Sequence, residues 1–395
     1  MVLELHLLQS FAPSCLNRDD TNAPKDCLFG GVRRARISSQ CLKRAIRWHP
    51  TFLAHAAAGS VRTKRLVDKV GADLARLGPP AADARPFVAP VLQELLGQLG
   101  PHERTRALMH LGDDEVRRLT ELIATHGADL VAAGRGAASG KSAARKRDPL
   151  QQLARRLADQ FEPGTVAPDV ALFGRMIAEN AHFNVPAACQ VAHAISTHRT
   201  VMEMDFFSAV DDLRRGNGPG DHEAAAAEMI GTIEFNSACF YRYSAVSLEQ
   251  LVTNLRGDTD LAADALAGFL YASVAALPAG RQHGMAAANP PSFVMVVVRQ
   301  CGMGWSLVNA FERPVTVDAQ DRFGFVGKSL LAADAYWGKL ADMYGEEGIV
   351  ARPACWLEEA PLRHLNDQRV RQVQEVIGLA LAAAGFEEAL PCRFC

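Results

Sequence analysis

Strand-like segments near both ends of the chain are separated by a long tract, residues 59–165, whose Ala, Leu and Arg follow a helical period. That order limits the fold. A sheet built from the ends must tolerate a helical insertion, which fits an α+β layer of one sheet against helices. Val2-Leu3-Glu4-Leu5-His6-Leu7-Leu8 alternates at first, as a strand with one buried face does. Strand signals return at Val170–Ile177, Ala188–Thr197 and Glu234–Val246, and Phe293–Arg299 is an unbroken apolar run. Helices are expected at Gln40–Arg47, Ala89–Leu99, Asp113–Thr125, Leu248–Leu255, Leu261–Leu277, Leu330–Met343 and Asp367–Ala384. Phe29-Gly30-Gly31 reads as a flexible joint. Thr200 to Gly231, polar and glycine-rich at its centre, reads as a protruding arm between two strands.

The 395 residues carry a net charge of −2, which excludes a wholly basic protein but hides a local imbalance. No acid lies between Asp26 and Asp68. Arg33, Arg34, Arg36, Lys43, Arg44, Arg47, Arg62, Lys64 and Arg65 fall there, leaving the remainder of the chain at −11. A solvated charged face normally mixes signs in i,i+4 pairs. An arginine-rich, acid-free window suits bidentate contact with phosphate oxygens, and a solvated or protein-facing surface is the alternative. On the helix expected from Gln40, capped by Ser38 or Ser39, Leu42, Ala45 and Ile46 share one face and Lys43, Arg44 and Arg47 the other.

Other motifs fail on spacing. Gly134 to Ser142 and Gly324 to Ser329 both end in Gly-Lys-Ser, but neither leaves four residues between its glycines, so neither can wrap a phosphate as a P-loop does. His193 and His198 are five apart, on opposite faces of a strand, and read as core or loop histidines. Asp19-Asp20 and Asp211-Asp212 lack a third metal ligand. Cys392 and Cys395 have no second pair to complete a zinc site. No metal or other cofactor is expected. The nine cysteines form no disulfide framework, and neither a secretory signal nor a membrane span is expected, which points to a reducing, cytoplasmic setting with free thiols.

Several blocks carry a family resemblance. Ser14-Cys15-Leu16-Asn17-Arg18-Asp19-Asp20, Phe29-Gly30-Gly31 and Arg33-Arg34-Ala35-Arg36-Ile37-Ser38-Ser39-Gln40-Cys41-Leu42-Lys43-Arg44-Ala45 resemble the opening of the CasC family, the backbone subunit of the type I-E CRISPR surveillance complex, Cascade. Gly174-Arg175-Met176, Ala192–His198, Asp205–Leu213, Phe235-Asn236-Ser237 and Phe240-Tyr241-Arg242-Tyr243 agree in order and spacing. The resemblance implies a modified RNA-recognition (ferredoxin-like) palm at residues 1–58, 166–199 and 232–395. It implies helical fingers inserted at 59–165 and a thumb hairpin at 200–231. It implies a non-catalytic crRNA-binding protein that stacks in several copies along one guide, beside small, large and end-capping Cascade subunits, and presents bases to target DNA. An RNA-processing or metal-dependent nuclease on the same fold is the alternative, with Asp19, Asp20 or a histidine as catalyst. A scaffold that turns its basic face to acidic proteins is a third.

Such a subunit must accept any guide sequence, so it needs phosphate contacts, which carry no sequence information. The expected set is Asn17, Arg18, Lys25, Arg33, Arg34, Arg36, Ser38, Ser39, Gln40, Lys43, Arg44, Arg47 and Arg175. Apolar wedges that kink the bases are expected at Met176, Met229 or Ile230. The basic tract Lys141, Arg145, Lys146 and Arg147 falls where the family touches target DNA.

Overall fold

A computed structural model of the chain describes residues 1–55, 59–138, 149–178, 180–209, 229–318 and 320–386. It divides into two compact units. One comprises Met1–Phe52, Val191–Ala245 and Ala267–Cys395; the other comprises Leu53–Gln190 and Val246–Leu266. The strands, in chain order, are β1 (Val2–Ser14), β2 (Asp26–Phe29), β3 (Val32–Ile37), β4 (Ser60–Thr63), β5 (Met109–Gly112), β6 (Cys189–Val191), β7 (Ala194–Ser196), β8 (Glu203–Ala209), β9 (Met229–Ser247), β10 (Phe293–Arg299), β11 (Ile349–Ala351) and β12 (Ala354–Trp356).

The first unit is organised on a sheet with strand order β11-β10-β1-β9-β7-β3-β2. β1 runs antiparallel to β10 from Val2↔Arg299 to Leu8↔Phe293. The α+β class read from the sequence is borne out. One face of the sheet carries Leu8, Met295 and Val297 against Leu330, Ala333 and Trp337 of the helix Gly324–Tyr344. On the other, Ala35, Ile37, Ala194 and Phe240 pack with Leu42 of helix α1 (Ser39–Arg47). Burying a side chain such as Leu42 contributes roughly 1.5–3 kcal/mol.

The alternation at the N-terminus does not mark a half-exposed strand. Glu4 and His6 are as fully buried as Leu3, Leu5 and Leu7; the Glu4 carboxylate and His6 Nδ1 find partners, while His6 Nε2 has none among the described residues. Glu4 accepts from Arg299 Nε at 3.0 Å, from the Tyr243 hydroxyl at 3.0 Å and from the Trp305 backbone N–H at 2.6 Å. The Tyr241 hydroxyl accepts from the Leu307 N–H and lies in hydrogen-bond contact with His6 Nδ1, 2.9 Å away. Burial lowers the His6 pKa to about 4; the charge of Glu4 opposes the shift and Arg299 adds to it. The folded state therefore holds His6 neutral, and this stabilisation is complete above pH 6.5 and lost as pH falls from 6.5 towards 4. Over that window His6 should remove roughly 3 kcal/mol of stability. Urea midpoints measured against pH should show this loss, and His6→Asn, which keeps an acceptor without the titration, should flatten it.

The second unit is mostly helical. Val70, Leu74, Val91, Leu92, Leu119, Ile123 and Leu157 form its core. They come from helices Leu66–Leu77, Val88–Leu96, Asp113–Thr125 and Pro149–Gln160. A small two-stranded antiparallel sheet of β4 and β5, paired from Ser60↔Gly112 to Thr63↔Met109, was not expected, since four residues are too few to show a period of two. The strand expected over Val170–Ile177 is instead a helix, Pro168–Phe173, with Pro168 in its first turn and Gly174 at φ +74° closing it. Ala188–Thr197 divides into β6 and β7. The helix expected at Leu330 begins at Gly324, and that expected at Asp367 begins at Val373. Among the described residues no helix is long and apolar enough to cross a membrane.

Candidate nucleic-acid interface

Gly30-Gly31 is a tight turn, not a flexible joint. β2 and β3 pair up to Phe29↔Val32, leaving two loop residues, both left-handed at φ +59° and +77°. Two such residues close a hairpin whose twist matches its strands. Gly30 is also needed for space: a Cβ there would lie 1.7 Å from the Glu312 carbonyl oxygen.

That close approach feeds Arg34. Its guanidinium is fully buried and donates to the carbonyls of Phe29 (3.2 Å), Ser196 (3.0 Å), Phe311 (2.7 Å) and Glu312 (3.1 Å). Burial pulls its pKa down. Arg34, expected to hold phosphate, instead ties the hairpin to β7 and to the turn at Phe311. Arg175 needs the same correction. It is buried in the second unit, with Nη1 2.6 Å and Nη2 2.9 Å from the two carboxylate oxygens of Glu115. Ser38 is also buried; it caps α1, its hydroxyl accepting from the Cys41 N–H.

Of the remaining expected cations, Lys25, Arg36 and Arg44 lie close together. Asn17 spends its amide oxygen on the Ser38 N–H at 2.8 Å, and its carbonyl accepts from the Lys25 N–H. The Lys25 carbonyl accepts from the Arg36 N–H. Asn17, Lys25 and Arg36 line one cleft with Asn236. Arg18, Arg33, Gln40 and Arg44 are exposed, while Lys43 and Arg47 are half-buried. α1 has no acid in its first turn and Arg44 and Arg47 in its last. Its dipole favours an anion at the N-terminal end, although the Ser39 and Cys41 N–H groups already donate to His193 and to the Ser38 hydroxyl. Burial raises the Cys41 pKa while Lys25 and Arg44 pull it down, which sets both cations beside that thiol. Acids are not wholly absent from the window's edge: Arg33 pairs with Asp26 at 2.9 Å, an exposed bridge of little strength.

His193, set aside in the sequence as a core or loop residue, belongs to this cluster. Its Nδ1 lies 3.2 Å from the Ser39 N–H and 3.4 Å from Arg36 Nη1. Nothing in its spacing from His198 signalled this, because the partners come from β3 and α1. His198 is the buried structural histidine, stacked on Phe325 and accepting from the Cys239 N–H at 3.1 Å.

Asp19 Oδ1 accepts from the Thr21 N–H, the Thr21 hydroxyl and the Ala23 N–H. The Thr21 hydroxyl leads the groups that hold its pKa low. It thus closes its own loop, a role that needs no metal. Among the described residues no three His, Cys, Asp or Glu side chains gather to hold a metal ion.

Of the wedge candidates, Met176 is 87% exposed, so it packs in no core of its own unit. Met229 and Ile230 open β9, pairing with Ala209 and Ser208 of β8, and their side chains lie outside the described residues. On β8, Met204 and Phe206 are exposed at 72% and 66%. They share one face of the arm by the two-residue period. They were not singled out in the sequence, where Thr200 to Gly231 reads as a protruding arm, polar and glycine-rich at its centre. Lys141, Arg145, Lys146 and Arg147 lie outside the described residues, as do Asp211, Asp212, Cys392 and Cys395.

The family model of the CT1975-like proteins matches residues 3–378. The chain belongs to that family. A solved chain titled "CRISPR RNA-guided surveillance complex, pre-nicking" is 29% identical, with 97% of this chain and 100% of that one covered and a TM-score of 0.77. A second, titled "CRISPR RNA-guided surveillance complex", is 25% identical over 97% and 100%, with a TM-score of 0.70. No curated protein matches the chain. The CasC-type resemblance read in the sequence is thus borne out at the level of the family, and the similar chains are components of surveillance complexes.

Proposed function

We propose that this CT1975-like protein is a non-catalytic, crRNA-binding backbone subunit of a type I-E surveillance complex. It grips the guide by its phosphates and stacks in several copies along it, in the cytoplasm. The observation that carries the reading is the cluster of Arg18, Lys25, Arg36, Arg44 and the acid-free N-terminus of α1, built on one hairpin and one helix. Lys43, Arg47, Arg33, Gln40 and Asn17 extend it, and Ser39 contributes through its backbone N–H, which it gives to His193. Guide RNA fits this surface better than an acidic protein, because the family's solved relatives are RNA-guided complexes. In this reading the first unit serves as palm, the helices around residues 59–165 as fingers, and the β8–β9 hairpin as thumb. Met204 and Phe206, with Met176, are wedges that turn bases out. Lys141, Arg145, Lys146 and Arg147 meet target DNA, and the small, large and end-capping subunits complete the assembly.

Salt dependence tests the RNA contact. Arg36→Ala, Lys43→Ala and Arg44→Ala should each weaken two RNAs of equal length and unrelated sequence by the same factor. Each lost phosphate contact should flatten the plot of log affinity against log salt by roughly 0.7. Loss confined to one sequence would mean that these side chains read bases.

A further inference from the structure

His193 stands just before β7, exposed to solvent, with its Nδ1 against two donors. The Ser39 N–H begins α1 and the Arg36 guanidinium lies on β3. Neither can accept a hydrogen bond, so Nδ1 must be the acceptor and the ring proton must sit on Nε2. Partial desolvation lowers the pKa of the imidazole, and the charges of Arg36 and Lys25 act in the same direction. The ring is thus fixed in one tautomer, its donor on the edge away from the helix, beside the cations already assigned to phosphate.

We propose that His193 is a further guide-RNA contact, its Nε2–H donating to a backbone phosphate oxygen while the Ser39 N–H and Arg36 hold the ring in place. This rests on the RNA-binding reading above. It differs from the cation contacts in kind. A neutral donor releases no counterion, so its loss should lower affinity at every salt concentration by one factor and leave the slope unchanged.

The test uses the full-length protein, a fluorescently labelled single-stranded RNA and a KCl series. His193→Asn retains an acceptor near the Nδ1 position and removes the outward donor. Ser39→Pro removes the N–H that orients the ring. Proline is tolerated at this first helical position, and Ser38 before it already has the extended backbone that a following proline requires, φ −69° and ψ 147°. Each variant should bind roughly tenfold more weakly with the wild-type salt slope, as expected for one hydrogen bond from an uncharged donor to a charged oxygen. The double variant should be no weaker than His193→Asn alone. Wild-type affinity in His193→Asn would overturn the proposal, and so would a flattened slope, which would mean a charged contact. Should His193→Asn melt early, Ser39→Pro decides alone, since it leaves the imidazole in place. A folded wild-type protein that binds no RNA would instead sink the RNA reading, and His193 with it.

Discussion

Arg34→Ala should cost the protein its fold before it costs any RNA contact. The guanidinium satisfies four carbonyls, of Phe29, Ser196, Phe311 and Glu312, in a site closed to water. Alanine would strand those acceptors, at about 1–3 kcal/mol for each that water cannot reach. A net loss of about 3–5 kcal/mol is expected, lowering the thermal midpoint by on the order of 10 °C. Arg34→Lys should fare little better, because one ammonium cannot reach four oxygens around a planar fork. The exposed Arg44→Ala gives the contrast: a midpoint within a degree or so of wild type and weaker RNA binding. An Arg34→Ala protein that melts normally but binds RNA less well would restore Arg34 to the phosphate contacts.

Arg175→Met should be comparably severe in the second unit. The pair with Glu115 is closed on both sides, with side-chain exposures of 2% and 1%. Glu115 also accepts from the Gly112 N–H at 3.0 Å and the Gly164 N–H at 2.9 Å, so its carboxylate organises two backbone turns. Removing the arginine leaves that charge buried and uncompensated, which costs about 3–5 kcal/mol. Adding Glu115→Gln should recover part of the loss, since the amide oxygen still accepts while the charge is gone. Denaturation of the two variants measures this. The salt slope for RNA should match wild type in whatever fraction folds. A slope flattened by roughly 0.7 in a stable Arg175→Met protein would mean that the side chain reaches phosphate after all.

The errors at Arg34 and Arg175 have one cause. Arg33, Arg34 and Arg36 are alike in sequence, and nothing local marks the middle one as buried. Two of the carbonyls that claim it belong to Phe311 and Glu312, distant in the chain and brought in by a glycine at position 30 that leaves them room. Glu4 and His6 misled for the same reason: polar residues on a strand read as its wet face unless the tyrosines, arginine and tryptophan that partner them are known. Features set by local chemistry were legible. The Asp113–Thr125 helix, the Phe293–Arg299 strand and the apolar face of α1 follow from composition and period alone. Gly30-Gly31 was legible as a break but not as a hairpin turn, because β2 and β3 are short and their pairing is seen only in three dimensions. His193 was missed because its role depends on a backbone N–H from another element.

Ultraviolet crosslinking of the protein to guide RNA, with the modified peptides located by mass spectrometry, tests the central claim most directly. Crosslinks are expected on peptides spanning Arg18 to Lys25 and Arg33 to Arg47, and on the peptide bearing His193, with guides of unrelated sequence giving the same map. A map that leaves residues 18–47 unmodified, or that moves when the guide sequence changes, would contradict it.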